Sequence, residues 1–194
     1  MTTFYWAYPT AHSDCGYIGK LPNEQYHNED YKITIQYFQK RSDEIRIKDF
    51  HFDKLPCDTA WTPFASIVSG KFKSMADGFG ICARYHSINV LVSGELVNPS
   101  YYFVEPETVE NLINLDSPKI KVRSDNDELG FSNWITIDHF GVELYLDTIY
   151  EKHWVTPSKT FGNPWVISEA FKNEIEKYSL TNFNFLEVIP AIKK

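Results

Sequence analysis

Three features of the sequence predict an α+β fold, mainly antiparallel sheet with a few short helices, built as two similar sheet-plus-helix halves. The first is an aromatic content of 16%, from 12 Tyr, 14 Phe and 5 Trp; aromatic side chains favour the pleated, half-buried surface of a strand. The second is a series of short apolar runs with period two, separated by turn residues. The third is a repeated element. Ile67-Val68-Ser69-Gly70-Lys71-Phe72-Lys73 matches Val166-Ile167-Ser168-Glu169-Ala170-Phe171-Lys172 at an offset of 99 residues (168 − 69). In both copies a β-branched run meets a Ser able to cap a helix, a Phe follows three residues on, and a Lys comes next.

Phe4, Trp6 and Tyr8 alternate and predict a first strand stopped at Pro9. Residues 10–30 are polar and turn-rich. The run 31–37 (YKITIQY) is the clearest alternating strand, and the turn at 40–43 returns it to Ile45 and Ile47 as an antiparallel hairpin. Phe50 and Phe52 are out of phase with that run, which predicts a bulge near Asp49 or a second short strand. With Pro56 and Pro63, the stretch 55–64 reads as a loop crossing to the first repeat copy. Gly70 weakens that copy's helix by about 1 kcal/mol relative to Ala, so a short helix is expected. Gly78-Phe79-Gly80 is a flexible break. Residues 89–92 and 101–104 read as strands, 107–115 as a short helix burying Val109, Leu112 and Ile113, and 119–122 as a further strand. Residues 124–132 read as an acidic loop, and 134–137 and 142–146 read as strands, the latter also readable as the start of a helix to Tyr150. The second copy gives a capped helix with Phe171, Ile175 and Tyr178 on one face. A turn through Ser179 and Asn182 then leads to a last strand ended by Pro190.

A chain of 194 residues suffices for one good core, and a single domain over 1–194 is expected, with halves near 1–97 and 98–194. Apolar content of 43% and charge content of 23% are those of an ordinary globular chain. The net charge of −7 argues against nucleic acid, which demands a basic face, and suits a partner that is itself basic. Cys15, Cys57 and Cys82 are odd in number and widely spaced, so neither a disulfide framework nor a zinc site is expected. The N-terminus lacks a basic segment followed by an apolar run, and no stretch reaches the roughly 20 apolar residues of a membrane span. A cytoplasmic location is the expectation.

Catalytic signatures are sparse. G-x-S-x-G, H-E-x-x-H, a phosphate loop and G-x-G-x-x-G do not occur. His12, Asp14 and Cys15 read as an exposed polar loop. Cys82 and His86 on one strand face would stand about 13 Å apart, too far for a proton relay. His51, His139 and His153 read as structural histidines. Asp125 and Asp127 lack the glycine and later Glu of a calcium loop. No catalytic, cofactor or metal residues are assigned.

A Val/Ile-Ser-x-x-Phe-Lys helix that recurs, the Tyr101-Tyr102-Phe103-Val104 strand between copies, and a close through Leu180, Thr181, Phe183 and Phe185 resemble a bacterial immunity-protein family of polymorphic toxin systems. The likeness runs over about 64–189, and the Phe4-Tyr5-Trp6 strand is in keeping with it; the chain departs at Gly70 and at Asn182, where a Gly would tighten the turn. The resemblance implies a cytoplasmic, non-enzymatic inhibitor that binds a cognate toxin domain and occludes its active site. The acidic loops holding Asp43 and Glu44, and Asp125, Asp127 and Glu128, are the expected partner-binding rim. The alternative is a carbohydrate- or peptide-binding module; an enzyme using Cys15 or Cys82 stands third.

Overall fold

In the computed structural model the residues described are 2–8, 49–52, 54–61, 66–97, 100–117, 120–123, 134–137, 142–157 and 164–191. The two Ser-led elements are where the architecture starts. Strand β4 (Ser66–Ser69) runs into helix α1 (Gly70–Gly78), and strand β13 (Trp165–Ser168) runs into helix α2 (Glu169–Lys177). Ser69 Oγ accepts from Phe72 N at 3.1 Å, and Ser168 Oγ accepts from Phe171 N at 3.2 Å. Each cap satisfies one of the orphan N–H groups of a helix start. A second orphan is met from outside the helix in both copies: Gly70 N donates to Ser100 O at 2.8 Å and Glu169 N to Thr3 O at 2.9 Å.

The likeness extends well beyond the repeated heptapeptide. Around β4 lie β3 (Thr59–Trp61), β5 (Arg84–Val92), which β6 (Glu95–Leu96) pairs as a hairpin, and β7 (Tyr101–Glu105), ordered β5-β7-β4-β3. Around β13 lie β1 (Phe4–Tyr8), β12 (Trp154–Pro157) and β14 (Asn184–Glu187), ordered β14-β1-β13-β12. Every pairing within these two quartets is antiparallel, and Ser69↔Tyr101 corresponds to Ser168↔Phe4. Even the flanking parallel strand is duplicated. β2 (Asp49–Phe52) pairs with the far end of β5, and β11 (Glu143–Leu144) pairs with β15 (Ile189–Pro190), which continues β14. The chain therefore closes on itself: its first strand fills, in the second unit, the place that β7 fills in the first.

Alternation along the strands assigns each face. Val68, Val104, Ala7, Trp165 and Ile167 point to a shared core with Phe72, Met75, Phe171 and Ile175 of the two helices. Phe4, Trp6, Val155 and Val166 point the other way, under Leu112, Ile113, Leu144 and Ile149. Ile67, Tyr101 and Phe103 form the matching outer core with Phe52, Ile88 and Val90. The helix pair thus lies between two sheets, each covered on its outer face. An α+β fold, mostly antiparallel and with few short helices, is what the sequence predicts and what the structure shows.

Several local expectations are corrected. The stretch 107–115 is not helical: β8 (Glu107–Val109) pairs in parallel with β12, and Asn111 at φ +54 breaks the chain after it. Pro106 and the β-branched Thr108 and Val109 favour extension there. The 55–64 loop contains β3, with Pro56 before it. Tyr178 is 46% exposed, because it caps the end of α2 and lies past the last buried turn. After β11 the chain makes a single 3-10 turn (Leu146–Thr148) and no α-helix. Cys57 is disulfide-bonded, a pairing that the spacing of the three cysteines does not announce, because spacing in the sequence does not report proximity in the fold. Cys82 is free and exposed. The first helix is short, as expected, at 9 residues, but no shorter than α2, since Gly70 occupies the first helical position, where its N–H is bonded outside the helix. The Lys119–Val122 strand is seen as β9 (Ile120–Arg123), paired antiparallel with β10 (Trp134–Ile137). The 31–37 and 45–48 hairpin lies outside the described residues.

Both helices end alike. Ile81 N donates to Ala76 O, and Leu180 N to Ile175 O, each at 3.1 Å; a left-handed residue makes the turn, Gly80 at φ +83 and Ser179 at φ +49. A side chain is strained there. Ser179→Gly should therefore stabilise the protein by about 0.5–1 kcal/mol, read as a higher urea midpoint with unchanged slope; an unchanged or lower midpoint would refute the strain.

Candidate functional site

The repeated Ser residues anchor the side chains that join the two units. Ser69 Oγ donates to Asp58 Oδ1 at 2.6 Å while Ser69 N donates to Asp58 O at 2.9 Å. In the second unit His153 takes the same place: its carbonyl accepts from Ser168 N at 2.9 Å, and its Nδ1 lies 2.8 Å from Ser168 Oγ. From these positions each side chain reaches across. Asp58 Oδ2 accepts from Thr181 N at 2.9 Å and from Thr181 Oγ1 at 3.0 Å, and Asn182 Nδ2 donates to Thr59 O at 2.7 Å. The His153 ring meets Phe79 edge-on, with centroids 4.9 Å apart. His153 is the structural histidine that the sequence predicts.

Each repeated Lys lies over a pair of rings on its own sheet. Lys73 Nζ is 4.9 Å from the Tyr85 centroid and 5.9 Å from that of Tyr102; Lys172 Nζ is 5.2 Å from Tyr5 and 5.3 Å from Phe185. One helical turn on, Asp77 and Glu176 complete ion pairs with Lys73 and Lys172. The hydrogen bond with Glu176 holds the Lys172 ammonium above its ordinary pKa. Burial, helped by Asp77, pushes the Tyr85 phenol upward. These lysines cover ring faces at the edge of the core and are part of the scaffold.

The outer surface of the second unit carries a different constellation. Asn114 Nδ2 donates to Glu143 Oε2 at 2.8 Å, and Asn114 N donates to Glu143 O at 3.0 Å. The Asn114 amide oxygen accepts from Tyr145 Oη and from Asp116 N, both at 3.2 Å. Ile189 stands opposite Glu143 in the β11–β15 pairing, and Leu115 follows Asn114; they are 46% and 59% exposed. Glu143 makes no ion pair among the described residues. Nothing in the sequence marks this group, whose members lie 29 and 31 residues apart.

The rim residues expected from sequence, Asp43, Glu44, Asp125, Asp127 and Glu128, lie outside the described residues, as do His12, Asp14 and Cys15. Trp6, Trp154 and Trp165 are all buried in the cores and offer no face for a sugar to stack on. Among the described residues no group of three or more His, Cys, Asp and Glu is placed to hold a metal ion, and no helix is long and apolar enough to cross a membrane. No protein-family model and no curated protein matches the chain.

Two predictions follow from the seam. Asp58→Ala should cost about 2–3 kcal/mol, because hydrogen bonds to a charged acceptor are lost in both units; its effect with Thr181→Ala should be less than additive in a urea double-mutant cycle. Additivity would mean the two do not couple. Tyr101, whose hydroxyl donates to Pro56 O at 2.7 Å, has its pKa pushed up to about 12 by burial and then by Asp58. Below pH 10 its phenol is protonated in folded and unfolded chain alike. Above that the unfolded chain ionises first, so stability falls as pH rises from 10 to 12, by up to about 1.4 kcal/mol per pH unit for this group. Urea midpoints of the Tyr101→Phe variant should fall less steeply over that window, and an identical slope would exclude the effect.

Proposed function

We propose that this chain is an immunity protein, one that binds and neutralises a cognate bacterial toxin domain by occlusion, with no reaction of its own. The observation that carries the reading is the duplicated Ser-capped unit. Its Ser, Phe and Lys residues, the same ones that resemble the immunity-protein family, are consumed in caps, core and ring-covering contacts. A scaffold whose constant residues are already engaged in this way would bind by presenting its surface, since preorganisation lowers the ordering cost of association. A net charge of −7 favours a basic partner through faster, steered encounter. The acidic loops near Asp43 and Asp125 are proposed as part of the contact surface, and the cytoplasm as the place of action.

The reading is tested by co-expression with the product of the neighbouring gene, which the reading expects to carry a toxin domain. Growth should be rescued, and the two proteins should co-purify as a complex that dissociates more readily at high salt. A toxin domain that kills unchecked in the presence of this chain would refute it.

A further inference from the structure

Strand β1 is supplied to the second unit from far away in the chain. The first unit builds β3, β4, α1, β5 and β7 in unbroken sequence order, with β6 carrying the chain from β5 to β7. The second unit has only β12, β13, α2 and β14 in sequence, and it takes β1 between β13 and β14. Trp6 stands opposite Val166 on one side and Leu186 on the other, and both pairings are antiparallel. Thr3 O accepts the first N–H of α2, from Glu169, and Phe4 O accepts from Val188 N, each at 2.9 Å. Phe4, Trp6 and Ala7 are buried, and Lys172 lies over the Tyr5 ring.

A strand lying between two neighbours, with no short connection to either, is in effect a tethered ligand. Tyr8 and Trp165 are separated by 156 residues (165 − 8 − 1). At roughly 5–20 residues per second of synthesis, β1 waits about 8–30 s for β13 to exist. The waiting segment, Phe4-Tyr5-Trp6-Ala7-Tyr8, is aromatic, uncharged and β-prone, a composition that pairs readily with an open strand edge. The same strand from a second copy meets β13 and β14 with both ladders unchanged, and exchange of identical elements is an accessible route to dimers. We infer that the slot between β13 and β14 is a strand-acceptor site whose second occupant is Phe4–Tyr8 of another copy of this chain, so that two copies complete each other's second units. Concentration sets the competition. Insertion from another copy rivals the chain's own strand near the effective concentration of the tether, about a millimolar for a connection of tens of residues. β7 escapes such exchange, since only 8 residues (101 − 92 − 1) separate it from β5. The inference does not depend on what the chain binds.

The test uses the full-length chain in two isotope labels, one nitrogen-labelled and one carbon-labelled. The two samples are unfolded in urea, mixed, and refolded at micromolar and at millimolar concentration. Size-exclusion chromatography should show a dimer whose share rises at least tenfold over that range. It should persist on dilution, because its release breaks two strand ladders at once. In the isolated dimer, NOEs should connect Trp6 of one label with Val166 and Leu186 of the other. A dimer lacking those contacts forms through an outer surface and overturns the inference, as does refolding to monomer alone at both concentrations. Should the millimolar sample precipitate, micromolar refolding with a millimolar excess of a synthetic peptide of residues 2–8 decides. NOEs from the peptide's Trp6 to Val166 of the chain support the acceptor slot, and their absence overturns it.

Discussion

Phe72 and Phe171 meet edge to face, with ring centroids 6.2 Å apart, and the rest of the molecule depends on that meeting. Each ring comes from the first turn of a nine-residue helix, too short to persist alone in water. Each is instead held by the other unit's aromatics. Phe72 lies 5.3 Å from Trp154, 5.6 Å from Trp165 and 5.8 Å from Phe183, all from the second unit. Phe171 lies 5.4 Å from Phe79 of the first. Neither helix has a complete core without its counterpart, so the two units fold as one body.

The indole N–H groups of Trp154 and Trp165 lie in that core without a hydrogen-bond acceptor among the described residues. Leaving such donors unmet carries a cost. Their rings sit 4.7 Å apart at 68°, an edge-to-face geometry in which the electron-rich face of one aromatic lies against the positive edge of another. The favourable quadrupole contact partly offsets the lost hydrogen bonds. Aromatic area is thus the currency of this fold, which explains the composition better than surface recognition does.

The two units are alike but not identical, and the differences fall where they touch. Asp58 and His153 perform the same act on their Ser partners with different chemistry, an anion reaching Thr181 and a ring meeting Phe79 edge-on. Gly80 turns the chain without strain where Ser179 must accept it. Asn182, at φ +70, is an extra residue relative to the first unit. A Gly there would turn the chain as well, but only Asn also ties back to Thr59.

The repeated heptapeptide and its 99-residue spacing by themselves determined the two capped helices, the strands leading into them and the antiparallel α+β class, because capping and alternation are local and act within a few residues. Strands whose partners are near in type, such as 101–104 and 134–137, were legible for the same reason. What the chain could not announce is anything decided by distant neighbours. That β1 completes the second unit, that 107–109 is a strand because β12 lies beside it, and that Asn114, Glu143 and Tyr145 share one surface are consequences of how the sheets assemble. Pairing across a hundred residues is set by the global packing of two cores, and no short window of sequence contains that information.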